Sequence, residues 1–158
     1  MKLMYRLSII LLSFLASVSI SFAQSPSNPI RWRMNVRMIS STEGEIIVKA
    51  TLDAGWHLYG FNLPKNGPQS TEIDMAGSKG VVFTDKLNVS PSPERFHDAM
   101  FDLDLTCWNS AVTFRRKFKV TDPAAATINC RIRFMGCNDM NCMPPKTETF
   151  SKKVIIKK

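Results

Sequence analysis

What the sequence lacks narrows it first. Nothing after residue 23 approaches the roughly 18 to 20 consecutive apolar residues that a membrane helix needs, which predicts a soluble mature chain. No stretch of ten residues keeps a convincing helical period, and Pro123-Ala124-Ala125-Ala126 allows at most one turn. There is no internal repeat and no linker that would divide the chain. A close Cys-x4-Cys spacing occurs only once, so the four cysteines and two histidines do not form the paired pattern of a structural zinc site. Acidic residues are in short supply: 13 Asp and Glu against 21 Lys and Arg leave a formal charge of +8. The surplus is spread over several strands and a tail of Lys152, Lys153, Lys157 and Lys158, the pattern of a solvated basic face rather than of a nucleic-acid site.

The first 23 residues read as a cleavable export signal. Lys2 and Arg6 make a positive start, residues 7–20 are mostly apolar and uncharged, and Ser21-Phe22-Ala23 offers small residues to a signal peptidase. Gln24 is the expected new N-terminus, and with no Cys at that point a lipid anchor is not expected. Residues 24–158 then suit one domain with its own core. Without Lys2 and Arg6 the formal charge falls from +8 to +6.

What is present is a series of short alternating segments. Ile30, Trp32, Met34, Val36 and Met38 alternate with Arg31, Arg33, Asn35 and Arg37, the period of a strand with one wet face. Residues 40–44 read as a turn and 45–52 as a second strand, rich in β-branched residues. Further strands are expected at 56–59, 71–75, 81–87, 103–108, 111–120, 128–135 and 148–156. Residues 88–101 form the longest segment without strand character; they hold His97, Asp98, Met100 and Phe101. Short strands separated by Gly, Pro, Asn and Asp predict an all-β chain, an immunoglobulin-like antiparallel β-sandwich.

Two cysteines share one turn, in Gly136-Cys137-Asn138-Asp139-Met140-Asn141-Cys142-Met143-Pro144-Pro145. Closing so short a loop stabilises a fold by only roughly 2 kcal/mol in the chain-entropy model, which makes a poor staple. It makes a good exchange site, because the thiol released by a partner's attack stays tethered beside the mixed disulfide and can resolve it. Spacing alone leaves redox exchange and a structural bridge level. Cys137, Met140, Cys142 and Met143, with Met100 and His97, would also suit Cu(I), although methionine in a small sandwich more often packs. Asp98, Asp102 and Asp139 would raise a nearby thiol pKa, and a protonated His57 would lower it. His57, Tyr59 and Phe101, taken alone, read as ordinary packing. Cys107 and Cys130 fall on the apolar sides of their strands and read as small hydrophobes; a bridge between them does not follow from spacing.

The residues flanking the pair resemble the N-terminal periplasmic domain of the thiol:disulfide interchange protein DsbD. The resemblance covers nearly all of the chain after the leader. It rests on Gly136-Cys137, the short turn to Cys142, Pro144-Pro145 and the polar Lys146-Thr147-Glu148-Thr149, then on Gly55-Trp56-His57-Leu58-Tyr59, and on the loop at 98–102 that leads into the strand carrying Trp108. It implies an immunoglobulin-like module that passes electrons by disulfide exchange, with the cysteine pair in place of any cofactor. By the same resemblance, Cys142 forms the mixed disulfide, Cys137 resolves it, and Phe101 caps the pair beside Asp98, His57 and Tyr59. The implied partners, acting in trans, are thioredoxin-like periplasmic proteins and a membrane-associated disulfide reductase. The implied setting is the periplasm, in support of cytochrome c maturation or disulfide isomerisation. The turn here is one residue shorter than Cys-x5-Cys, His57 stands where an aromatic hydroxyl is expected, and Asp102 replaces a small residue after the cap. The alternative is a non-catalytic immunoglobulin-like binding protein whose Cys137–Cys142 bridge shapes a recognition loop.

Overall fold

The computed structural model describes residues 28–156, so the expected leader at 1–23, Lys157 and Lys158 lie outside the described residues. Twelve strands and no helix occur within those bounds: β1 Ile30–Met38, β2 Glu43–Leu52, β3 His57–Tyr59, β4 Glu72–Asp74, β5 Val81–Phe83, β6 Asn88–Ser90, β7 Glu94–Asp98, β8 Leu103–Trp108, β9 Val112–Val120, β10 Thr127–Phe134, β11 Gly136–Cys137 and β12 Lys146–Lys153. All pairings between them are antiparallel, as expected of the sandwich.

One sheet has the order β1-β2-β9-β5, with β6 also on β9; a second runs β12-β10-β4; a third runs β11-β3-β8-β7. The alternation in β1 sends Ile30, Trp32 and Met34 inward and leaves Arg31 and Arg33 in solvent. Register then carries the inward rows across the sheet: Trp32 faces Ala50, which faces Val112, and Met34 faces Val48, which faces Phe114. From the second sheet β10 contributes Ile128, Cys130, Ile132 and Phe134, all buried. Trp32 stacks on Phe114 at 5.7 Å between ring centroids and meets Phe134 edge-on at 5.3 Å, tying the two sheets together. Each large apolar side chain sealed in this core stabilises the fold by about 1.5 to 3 kcal/mol relative to exposure.

The third sheet closes over a separate, smaller core of Tyr59, Leu105, Met135 and Cys137, against which Leu63, Phe96, Phe101, Leu103 and Cys142 pack. Residues 88–101 correct the expectation of an irregular segment. They contain β6, paired with β9, and β7, paired with β8. The signal was hidden because β7 turns a carboxylate inward: Asp98 is buried while Arg95 and His97 are exposed, so no apolar alternation marks the strand. β11 likewise forms at the start of the segment whose sequence signals a turn.

Candidate functional site

β11 sets the position of the disulfide. Gly136 pairs with Leu58 and Cys137 with His57, and β3 in turn pairs Tyr59 with Cys107 on β8. A glycine is required at 136, because a Cβ there would collide with the Ile30 side chain and lie 2.5 Å from the His57 carbonyl oxygen. Beyond Cys137 the chain reverses at once. The Asn138 amide donates to the Asn141 carbonyl at 2.9 Å, and the Asn138 Oδ1 accepts from the amides of Met140 and Asn141 at 3.0 and 2.7 Å. The Met143 amide then donates to the Gly136 carbonyl at 3.0 Å. This side-chain-to-backbone turn brings the two Cα atoms to 4.0 Å, and Cys137 and Cys142 are joined by a disulfide.

The two sulfurs differ in access. Cys137 is 2 % exposed, inside the smaller core, whereas Cys142 is only half-buried, with its Sγ 3.1 Å from the Sδ of Met100. Against the buried sulfur stands Tyr59. Its hydroxyl oxygen lies 2.6 Å from Asp98 Oδ2 and 3.1 Å from Cys137 Sγ. A phenol has one proton to donate and an ionised carboxylate only accepts. In the oxidised protein that proton therefore goes to Asp98, at the length of a charge-assisted bond, and an oxygen lone pair faces the sulfur. Burial first, and then the hydrogen bond to Asp98, hold the Tyr59 pKa far above its ordinary value, so the phenol stays protonated.

Asp98 has a second task. Its other oxygen, Oδ1, accepts from the amides of Met100 and Phe101 at 2.9 and 3.1 Å, which fixes the loop between β7 and β8. That loop ends at Asp102 with φ of 52°, a left-handed conformation that Asp tolerates better than most residues. One buried carboxylate thus joins the loop carrying Met100 and Phe101 to the hydroxyl that touches Cys137. Phe101 is edge-on to Tyr59 at 6.1 Å. His57 packs edge-on to Tyr59 at 5.0 Å and to Phe96 at 5.2 Å. Burial lowers the His57 pKa against the pull of Asp98 and Asp139, which leaves the imidazole neutral near pH 7. A cleft of about 370 Å³ runs beside the disulfide, lined by His57, Tyr59, Phe96, Met100, Cys137 and Asp139 among others.

Of the residues singled out from the sequence, Cys137, Cys142, His57, Tyr59, Asp98 and Phe101 meet at this one place. Met100 joins them. His97 borders the same cleft, but its Nδ1 and Nε2 face Asp104 and Asp102 at 3.1 and 3.3 Å, and Asp102 itself is exposed. Met143 is drawn into the larger core. Phe96 was missed; the only signal was its place two residues before Asp98, on the same face of β7. Among the described residues no three His, Cys, Asp or Glu side chains cluster as metal ligands, and no helix is long and apolar enough to cross a membrane. Cys107 and Cys130 are not bridged; both are buried free thiols.

An all-β sandwich carrying one short disulfide at the edge of a small aromatic core is a thiol–disulfide exchange domain, and the redox group is the cysteine pair itself. Residues 26–153 match the family described as thiol:disulfide interchange protein DsbD, N-terminal, and the chain belongs to that family. Among solved structures, the N-terminal periplasmic domain of ScsB from Proteus mirabilis aligns with a TM-score of 0.59 at 18 % identity, over 82 % of this chain and 49 % of that one. This chain therefore spans about half the length of that structure. The N-terminal domain of DsbD from Neisseria meningitidis, in its reduced form, aligns with a TM-score of 0.51 at 12 % identity, over 84 % of this chain and 90 % of that one. Both likenesses are of fold. No curated protein matches the chain.

Proposed function

We propose that the domain relays electrons in the periplasm, taking them from a membrane-associated disulfide reductase and handing them to oxidised thioredoxin-like proteins through Cys137 and Cys142. The observation that carries this reading is the unequal access of two bonded sulfurs: Cys142 half-exposed beside Met100, Cys137 buried against the Tyr59 hydroxyl at 3.1 Å. The leader-like residues 1–23 and the family support the location.

In loading, a donor thiolate attacks Cys142 Sγ, the S–S bond breaks, and Cys137 leaves as a thiolate. Leaving is faster when that thiolate is stabilised, and Tyr59 can turn its single proton from Asp98 to the sulfur as charge develops there. The donor's second thiolate then attacks its own sulfur in the mixed disulfide, which releases Cys142. The donor ends as a disulfide and the pair as two thiols, two electrons and two protons having moved. Delivery runs in reverse: Cys142 attacks the acceptor's disulfide, and Cys137 resolves the intermediate. Phe101, on the loop held by Asp98, acts as the cap that a partner displaces before reaching Cys142, a gating step of the kind loops provide.

The test uses Cys137→Ala. Without the resolving sulfur, Cys142 accumulates as a mixed disulfide with a thioredoxin-like partner, visible on non-reducing gels and lost in Cys142→Ser. A reduction potential below about −300 mV, typical of a structural bridge, together with no trapped complex, overturns the relay. It would leave a recognition loop shaped by a permanent disulfide.

A further inference from the structure

We propose that the opened pair is also a Cu(I) site, in which Cys137, Cys142 and Met100 supply three sulfurs to one ion. The inference rests on the reading that the Cys137–Cys142 bond opens during exchange. Thiolate and thioether sulfur are the soft ligands that select Cu(I).

Met100 is the unexpected part of the site. It is 53 % exposed, yet its Sδ sits 3.1 Å from Cys142 Sγ rather than in a core. Its backbone is held there, because the Met100 amide is bonded to the buried Asp98 at 2.9 Å. A flexible thioether kept at the cleft mouth against the more accessible sulfur adds little to packing. A second, independent observation points the same way. His57 is the cross-strand partner of Cys137, and its Nε2 is buried with no hydrogen-bond partner in the protein. A buried imidazole nitrogen without a partner costs free energy, and His57 lies on the same cleft that Met100 and Cys137 line. The ring nitrogens of His97 face Asp102 and Asp104 instead.

The chemistry balances without a further reagent. The disulfide first accepts two electrons and two protons from a dithiol, the class of reductant that exchange already requires, and that dithiol becomes a disulfide. Cu(I) then displaces the two thiol protons and stays monovalent throughout. While the ion is bound, no free thiolate remains to attack a partner. Conversely, once an acceptor's disulfide has oxidised the pair and itself become a dithiol, two of the ligands are gone and the ion has no site. Metal and partner thus compete for one pair of sulfurs, and the coupling is reciprocal.

The experiment takes the protein reduced with dithiothreitol, freed of reductant without air, and counts its accessible thiols. Cu(I) is then titrated against the chromophoric chelator bathocuproine disulfonate. One ion per chain is expected, with two accessible thiols consumed. Met100→Leu, a swap that conserves volume, keeps both thiols countable but weakens binding by roughly tenfold or more, since even outer partners of a metal are worth that much. Cys142→Ser abolishes tight binding. The proposal is overturned if reduced protein with two counted thiols holds Cu(I) no better than Cys142→Ser, or if Met100→Leu binds as tightly as the native protein; in either case exchange survives. If dithiothreitol exposes no thiols, the exchange reading falls as well, and the thiol count tells the two failures apart.

Discussion

Cys107 and Cys130 lie on β8 and β10, in different sheets, 1 % and 2 % exposed. Burial first, then Glu94 and Asp98, pushes the Cys107 thiol up to about 11; burial and then Asp74 push Cys130 up to about 12. Cys137 and Cys142 lie five positions apart in one turn, bonded, with the second sulfur open to visitors. A cysteine attacks as thiolate, so it must both ionise and be reached. The strand cysteines fail on both counts and serve as small hydrophobes. Four cysteines in one small domain therefore have two unrelated uses, and position in the fold separates them.

The largest expected effect tests that separation directly. Cys142→Ser should abolish disulfide exchange with a thioredoxin-like protein, while Cys130→Ala leaves the rate as it was, followed by mass spectrometry of quenched mixtures. Loss of exchange in Cys130→Ala would erase the contrast. Next in size is Tyr59→Phe. It leaves Asp98 Oδ2 buried without its donor, and an unsatisfied buried acceptor costs about 1 to 3 kcal/mol, read from the urea midpoint. The same variant should slow the opening of the disulfide by a dithiol, because the departing Cys137 thiolate loses its hydrogen-bond donor; an unchanged rate would confine Tyr59 to a structural part.

Reduction of Cys137–Cys142 should cost about 2 kcal/mol at most. The turn is already held by Asn138 and by the Met143 amide, so part of the ordering persists without the bond. Comparing urea midpoints of the oxidised and reduced protein measures it. Removing one sulfur from the larger core in Cys130→Ala should cost about 1 kcal/mol, by the scale of a buried methylene.

The smallest effect is with pH. The folded-state pKa of His57 is lowered below 6.5, so between that depressed value and 6.5 the unfolded chain binds more protons than the native one. Stability then rises with pH across that window, falls as acid is added through it, and takes no further contribution from His57 below it. His57→Gln should flatten this part of the profile, measured as urea midpoints between about pH 5 and about pH 7, which bracket the ordinary histidine range. A profile identical to the native one would show that His57 is not the group responsible.

Much of the architecture could be read along the chain. The strict alternation of β1 and the β-branched run of β2 mark strands with one wet face, and both appear where alternation places them. The stretch at 88–101 could not be read that way, since the residue β7 turns inward is Asp98, whose partner Tyr59 lies 39 positions earlier. Phe96 was obscured for the same reason. The gathering of Cys137, Cys142, Tyr59, His57 and Phe101 came from likeness to a family; taken one by one, the aromatic residues there look like packing.

Local chain chemistry was enough to put two sulfurs in one turn, because Asn138 and the prolines after Cys142 act over a few residues, and enough to mark most strands by their period of two. Which sulfur is reachable, which carboxylate binds the loop between β7 and β8 to the buried hydroxyl, and that Cys107 and Cys130 stay apart were settled by the docking of sheets. Tyr59 and Cys137 are 78 positions apart, and only the pairing of β11 with β3 brings them within hydrogen-bonding reach.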